Sequence, residues 1–243
     1  AYLLRCSLSK IDSQHFWDLM DALPIEAIPK IEKELLERII KIYGLESDTL
    51  FFDTTNFFTY IDTTNLRCTI AQRGKNKQKR YDLRQVGLAM VVTRKDMIPL
   101  FHLTYQGNMN DTKVFRSVIK EIKNRLKELT LDIQKHTLIF DRGNNSKKNM
   151  AIVKDLHLHY VGALTPYNHK KLIDEAIGNF GKLDVGGNVI EVYRDKREIW
   201  QEERTVVVFI SEKLKAGQIR GIYQSLEKKQ KQLRELQESL SNP

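Results

Sequence analysis

The chain has 243 residues, 41% of them apolar, and 40 Lys and Arg against 31 Asp and Glu give it a formal net charge of +9. That length holds one large domain or two small ones, with enough apolar residues for a packed core. No apolar run approaches the roughly 18 to 20 residues that cross a bilayer, and the N-terminus lacks the order of a signal peptide, so a cytoplasmic globule without membrane association is expected. Cys6 and Cys68 stand alone, without the paired spacing of a disulfide framework or zinc site, and read as small core hydrophobes.

Residues 1–47 read as helical. Ile28, Ile31, Leu35, Ile39 and Ile42 recur at helical spacing, Pro24 and Pro29 stand at the start of that row, and Gly44 ends it. The segment is expected to pack against the rest of the protein or against a partner. The chain begins at Ala1 and stops in a charged helical pattern, and it reads as a fragment at both ends.

From residue 48 the period changes. TLFFDTTNFFTYI (49–61), QVGLAMVVT (85–93) and IPLFHLTYQG (98–107) read as three strands, the last two a hairpin. NDTKVFRSVIKEIKNRLKEL follows, where Val114, Val118, Ile122, Arg125 and Leu129 trace a helical row that Asn110 or Asp111 can cap. TLIF (137–140) reads as a strand, SKKNMAIVKDL (146–156) as a helix and HYVGAL (159–164) as a strand. The order β-β-β-α-β-α-β predicts a mixed α/β sheet whose parallel strands are joined by helical crossovers.

Asp53 and Asp141, 88 residues apart (141 − 53), each stand at the polar end of a β-branched and aromatic run. If their strands are neighbours, the two carboxylates converge where a buried strand meets solvent. Hard divalent cations take oxygen ligands, and Mg²⁺ takes one or two protein carboxylates besides phosphate and water. Asp is also common at strand ends and turns, so the pair alone leaves a structural role open.

Residues 72–80, QRGKNKQKR, carry Arg73, Lys75, Lys77, Lys79 and Arg80 with no acid among them. Their Gly and polar spacers make a loop. It either lays several cations along a phosphate backbone or is a solvated charge run.

The phrases FFDTTNFF (51–58), QRGKNKQKRYDLRQVGLAMVV (72–92), IPLFHLTYQGNMNDTKVF (98–115) and LIFDRGNNSKKN (138–149) occur in this order. Together they resemble the catalytic core of DDE-type insertion-sequence transposases, whose RNase H-like domain is interrupted by a β-rich insertion. The resemblance implies an N-terminal helical segment (1–47), an RNase H-like catalytic core (48–181) and the beginning of the insertion with a C-terminal helix (182–243). It also implies that Asp53 and Asp141 are the first two catalytic acids and hold Mg²⁺, with Mn²⁺ as the alternative. The partners it implies are transposon-end and target DNA, bound by a homodimer in a synaptic complex. Arg73, Lys75, Lys77, Lys79, Arg80 and Arg142 are the expected DNA contacts.

The third acid departs from the pattern. The family places its glutamate in Tyr-x2-Arg-x3-Glu-x6-Lys, and the similar stretch here is YRDKREIWQEE (193–203). Stepping from Tyr193 reaches Lys196, and from Lys196 or Arg197 reaches Trp200 or Gln201. Glu191, Glu198, Glu202 and Glu203 therefore read as solvated charges, and the third acid is expected beyond residue 243.

NVIEVYRDKREIWQ and RTVVVFIS alternate as strands. Ile219, Leu226, Leu233 and Leu240 then recur at seven-residue intervals, as in a coiled coil, but Lys229 and Gln230 interrupt the seam. A helix lying on the preceding strands is the expectation. Gly107, Asn108 and Asp111 read as a structural strand-to-helix turn. Arg142, Gly143, Asn144 and Asn145 either orient a metal site, touch phosphate or form a tight turn. His157 and His159 read as packed or exposed rather than as ligands. Three functions stay open: a transposase core, an inactive DNA-binding remnant, and a nuclease of the same fold.

Overall fold

A computed structural model describes residues 11–241 apart from Thr63 and Lys77, and leaves the side chains of Asp111 and Ser241 undescribed. Cys6 lies outside the described residues. The chain divides into two compact units, residues 1–163 and 164–243.

The first unit opens with α1 (Ser13–Ala22) and α2 (Ala27–Tyr43). The Asp12 carboxylate caps α1 by accepting from the amides of Gln14 and His15 at 3.0 and 3.2 Å. Pro29 falls in the first turn of α2, where an amide would have no helical partner, so it starts the helix instead of breaking it. Gly44 ends α2 in the left-handed region at φ +59°, its amide donating to the Ile40 carbonyl. Leu36 is buried, whereas Phe16, Trp17 and Met20 of α1 are exposed. What ties α2 down is Glu32, which accepts from Arg125 Nη2 at 2.8 Å and bonds His102 Nδ1.

The strands that follow are β1 (Thr49–Thr59), β2 (Arg84–Thr93), β3 (Pro99–Gln106), β4 (Thr137–Phe140) and β5 (His159–Val161). They form one sheet in the order β3-β2-β1-β4-β5. β1, β2 and β3 are an antiparallel meander, while β4 joins β1 and β5 in parallel. This is an RNase H-like mixed sheet, and α3 (Asp111–Glu128) and α4 (Lys147–Asp155) are the helices that connect its parallel part.

Leu50 and Phe52 of β1, Ala89 and Val91 of β2, and Leu138 and Phe140 of β4 are buried. On α3 the row Val114, Val118, Ile122 and Leu129 is buried as the helical spacing predicts. Arg125 shares that row and is also buried, with Glu32 and Glu128 as its ionic partners. Asn110 is the cap, its side chain accepting from the Thr112 amide at 2.9 Å. Cys68 is half-buried in the loop between β1 and β2, not a core residue as expected. β5 stops at Val161, three residues earlier than expected.

Phe115 of α3 packs edge-on against Phe52 at 5.3 Å and against Phe140 at 4.8 Å, ring centre to ring centre. One helical side chain thus contacts the two central strands together.

In the second unit α5 (Lys170–Ile177) precedes an antiparallel sheet of β6 (Gly181–Val185), β7 (Asn188–Ile199) and β8 (Glu202–Ile210). Leu172, Ile199 and Val206 make its small core, joined by Tyr193 and Val208. Both hairpin turns use two residues at positive φ: Gly186 and Gly187 at +59° and +84°, and Trp200 and Gln201 at +53° and +68°.

α6 (Glu212–Ser241) is a single helix whose residues 212–240 are all exposed. It does not lie on the strands before it, contrary to expectation. Its apolar residues recur too narrowly to form the broad stripe a sheet covers, and Lys229 and Gln230 sit within that seam. Of the glutamates read as solvated, Glu191 and Glu198 are exposed and Glu203 pairs with Lys196 at 2.9 Å, but Glu202 is half-buried and paired with Arg204. Among the described residues no helix is long and apolar enough to cross a membrane.

Phe115 is fully buried and touches both central strands, so Phe115→Ala is expected to cost about 3–5 kcal/mol by urea denaturation. A loss below about 1 kcal/mol would show that the sheet does not depend on this ring.

Candidate metal and nucleic-acid site

The register of β1 against β4 pairs Phe51 with Ile139 and Phe52 with Phe140. Asp53 is the next residue on β1 and Asp141 is the first residue after β4, so each aspartate directly follows a register pair on two neighbouring parallel segments. Strand alternation sends Phe52 into the core and Asp53 to the opposite face, and both aspartates are exposed. Asp53 Oδ1 accepts from the Thr54 amide at 2.8 Å.

Asp141 is held by its own turn. Its Oδ1 accepts from the Gly143 amide at 2.9 Å and from Asn144 Nδ2 at 3.2 Å, which caps the 3₁₀ turn over Arg142–Asn144. Asn144 is buried, and its carbonyl in turn accepts from the fully buried Asn149 Nδ2 at 2.7 Å. Ser146 caps α4 through the Asn149 amide at 3.2 Å, and Asn145 Nδ2 donates to the Ala163 carbonyl. Sequence left metal-site, phosphate-contact and turn roles open for these residues. Asn144 serves the carboxylate and Asn145 ties the turn to the chain after β5, while Arg142 is exposed.

Two carboxylates supply hard oxygen ligands of the type and number Mg²⁺ takes from protein. Asp141 already has one oxygen fixed by two amide donors, which limits how far its carboxylate swings. The pair therefore fits a divalent cation as a partial ligand set. Among the described residues no group of three or more His, Cys, Asp or Glu is placed to hold a metal. His157 and His159 are exposed.

The basic loop leaves the end of β1 and returns at the start of β2. Because β1 and β4 run parallel, it lies at the same end of the sheet as Asp141. Arg73, Lys75 and Lys79 are exposed, and Lys77 lies outside the described residues. Arg80 grips Asp82 with two bonds, Nε to Oδ1 at 2.9 Å and Nη2 to Oδ2 at 2.7 Å. The acid that pairs with it stands just past the acid-free run.

Residues 58–225, more than half of the chain, match the family model for the transposase DDE domain. The chain belongs to this family. No curated protein matches it in sequence. Among solved structures it is similar to the Mos1 transposase paired-end complex with left transposon end, at 10% identity over 60% of this chain and 52% of that one, with a TM-score of 0.34. It is also similar to the piggyBac transposase synaptic complex with hairpin DNA, at 13% identity over 87% of this chain and 48% of that one, with a TM-score of 0.37. The chain spans about half the length of these structures.

The family match begins just after Asp53 and includes the basic loop and Asp141. Three polar residues that sequence did not single out make buried or half-buried bonds in this unit: Gln85 and Asn149 within the matched region and Glu32 before it. Gln85 sits in an apolar strand run and Asn149 on the buried face of a short helix, where polar residues are costly unless bonded. That mismatch was the available signal.

The bond from Arg80 holds the Asp82 carboxyl down, from its ordinary 3.8 to about 2. Since the folded value is the lower one, the contribution of this pair is complete above pH 3.8 and is lost as pH falls through about 2. The Asp82 carboxyl carbon resonance is expected to titrate near 2 in the native protein and to move back toward 3.8 in Arg80→Ala. A midpoint near 3.8 in the unaltered protein would mean the pair does not form in solution.

Proposed function

We propose that this DDE-family chain is part of the catalytic core of an insertion-sequence transposase that cleaves transposon-end DNA and joins it to target DNA. The observation that supports the reading is the β1–β4 register, in which exposed Asp53 and exposed Asp141 each directly follow the Phe52–Phe140 pair of an RNase H-like sheet. In this reading residues 48–181 are the catalytic core, 182–243 begin the β-rich insertion, and 1–47 are the N-terminal helical segment. The protein works in the cytoplasm as a homodimer on paired transposon ends.

Asp53 and Asp141 hold Mg²⁺, or Mn²⁺ in its place. When bound, the metal supplies Lewis-acid activation of water or a 3′ hydroxyl and stabilises a departing 3′ oxygen. Asp53 gives its carboxylate from the middle of a paired strand, so the backbone cannot shift it without breaking the sheet. Asp141 gives its own from a capped turn in which Gly143 and Asn144 fix one oxygen. Arg142, Arg73, Lys75, Lys77, Lys79 and Arg80 bind the DNA backbone. The third carboxylate comes from a segment beyond residue 243, so this chain alone is expected to nick DNA weakly or not at all.

Mn²⁺ titration followed by electron paramagnetic resonance checks the metal reading. Asp53→Asn and Asp141→Asn should each weaken binding at least about tenfold. Equal binding by both variants and the unaltered chain would place the metal elsewhere. Robust Mg²⁺-dependent nicking by residues 1–243 would overturn the assignment of the third acid. Replacing Lys75, Lys77 and Lys79 by Ala should lower the salt dependence of duplex binding by about 0.9 log unit of slope per lost phosphate contact. An unchanged slope would make the loop a solvated charge run.

A further inference from the structure

The basic loop is not a free coil, and what holds it is a buried side chain. Gln85 is fully buried in β2, opposite Phe58 of β1. Its Nε2 donates to the Gly107 carbonyl at 2.7 Å and to the Lys75 carbonyl at 3.3 Å. Its backbone forms a two-way bridge with Gln72, Gln72 N to Gln85 O at 3.0 Å and Gln85 N to Gln72 O at 2.9 Å. The base of the loop is thereby pinned at both its carbonyl and its amide side.

Two glycines make this approach sterically possible. A Cβ on Gly107 would stand 1.9 Å from the Gln85 carbonyl oxygen, and one on Gly74 would stand 2.4 Å from the Gly107 carbonyl oxygen. Both positions need a bare backbone. Further out, Asn76 closes the loop on itself: its Nδ2 donates to the carbonyls of Gly74 and Arg80 at 3.2 and 3.1 Å, and its Oδ1 accepts from the Arg80 amide at 2.9 Å. Lys79, at φ +58°, sits in the left-handed region within that closure, its amide donating to the Asn76 carbonyl.

We infer that Gln85 and Asn76 are positioning residues that preset the loop's cations, through backbone bonds, as a rigid receptor for the DNA phosphate backbone. The inference rests on the proposed DNA-binding role of the loop and adds how its affinity arises. Gln85 lies opposite Phe58, five residues past Asp53 on β1, which at strand rise is about 16 Å. A nucleic-acid strand lying across this end of the sheet therefore reaches the loop about five nucleotides from the carboxylates, at 3.4 Å per nucleotide. A preset loop gives up little conformational freedom when such a strand binds, so its cations act at full strength.

The signature of presetting is affinity lost at constant salt slope, because the number of phosphate contacts stays the same. Binding of a 30-base-pair duplex by fluorescence anisotropy over a salt series tests it in the unaltered chain, Gln85→Met, Asn76→Ala and the Lys75→Ala, Lys79→Ala double variant. Gln85→Met and Asn76→Ala should each weaken binding about fivefold to tenfold with slope unchanged, while amide exchange at residues 72–80 speeds up. The double variant should reduce the slope itself. Asn76 is half-buried on a loop, so Asn76→Ala carries the test should Gln85→Met unfold the sheet. If the double variant leaves affinity and slope as they were, the DNA role of the loop fails. If the double variant responds while Asn76→Ala, or a folded Gln85→Met, binds as tightly as the unaltered chain, presetting alone is overturned.

Discussion

The register of two parallel strands governs everything at this site. Asp53 and Asp141 are far apart in sequence, and the residues just before them align them. Alignment comes from the core beneath, where Phe52 and Phe140 are paired in register and Phe115 of α3 packs edge-on against both. A slip of one residue would turn the core face of a strand to solvent, so the three rings oppose it with the burial energy of large apolar groups. Edge-to-face pairs add about 0.5–1.5 kcal/mol each beyond burial. The same alternation that buries Phe52 turns the carboxylate of Asp53 to the opposite face. Carboxylate placement and core packing are two sides of one strand.

Charge is distributed over the same end of the sheet at two separated places. Asp53 stands in the middle of β1, and the base of the basic loop, where Gln72 bridges Gln85, lies about 16 Å further along β1. Only a ligand that carries negative charge over such a span meets the loop while presenting a phosphate near the carboxylates. Asp82 offsets part of the charge that Arg80 adds to that surface. The exposed Arg73, Lys75 and Lys79 remain, held on a backbone that Gln85 and Asn76 fix.

Much of the first unit was legible because its signals are local. Alternation and β-branched residues marked β1, β2 and β3, and helical spacing marked α3, including Arg125 on the buried row. The position of Asp53 before a polar stretch and of Asp141 at the end of TLIF was legible for the same reason. What stayed hidden depends on partners distant in sequence. Arg125 reads as an interruption of an apolar row until Glu32 is placed beside it. Gln85 reads as the edge of a strand until Gly107 and Lys75 are brought to it. In the second unit, Gly186-Gly187 is a recognisable hairpin signal and marks the missed strand β6, whereas Trp200-Gln201 takes the same positive-φ geometry with residues that ordinarily avoid it. The tail misled because its seven-residue spacing fixes a helix but says nothing about what faces it.

The buried polar residues of this chain have a task that apolar ones could not perform. Gln85, Asn144, Asn149 and Arg125 are all buried, and each donates to an oxygen that must sit in one place: loop carbonyls, the Asp141 carboxylate, the Asn144 carbonyl and the Glu32 carboxylate. A well-packed hydrophobe at any of these positions can match the stability of a polar residue, since buried polar groups add little net free energy. It cannot select a direction. Dispersion contacts vary smoothly with displacement, whereas a hydrogen bond weakens steeply with distance and angle. Among the described residues the oxygens Gln85 Oε1, Asn144 Oδ1 and Asn149 Oδ1 have no hydrogen-bond partner within the protein, so it is the donor side of each amide that the fold uses. Burying three such amides in one sheet unit is explicable where placement matters more than stability. Asn144 and Asn149 hold the turn of Asp141, and Gln85 holds the basic loop.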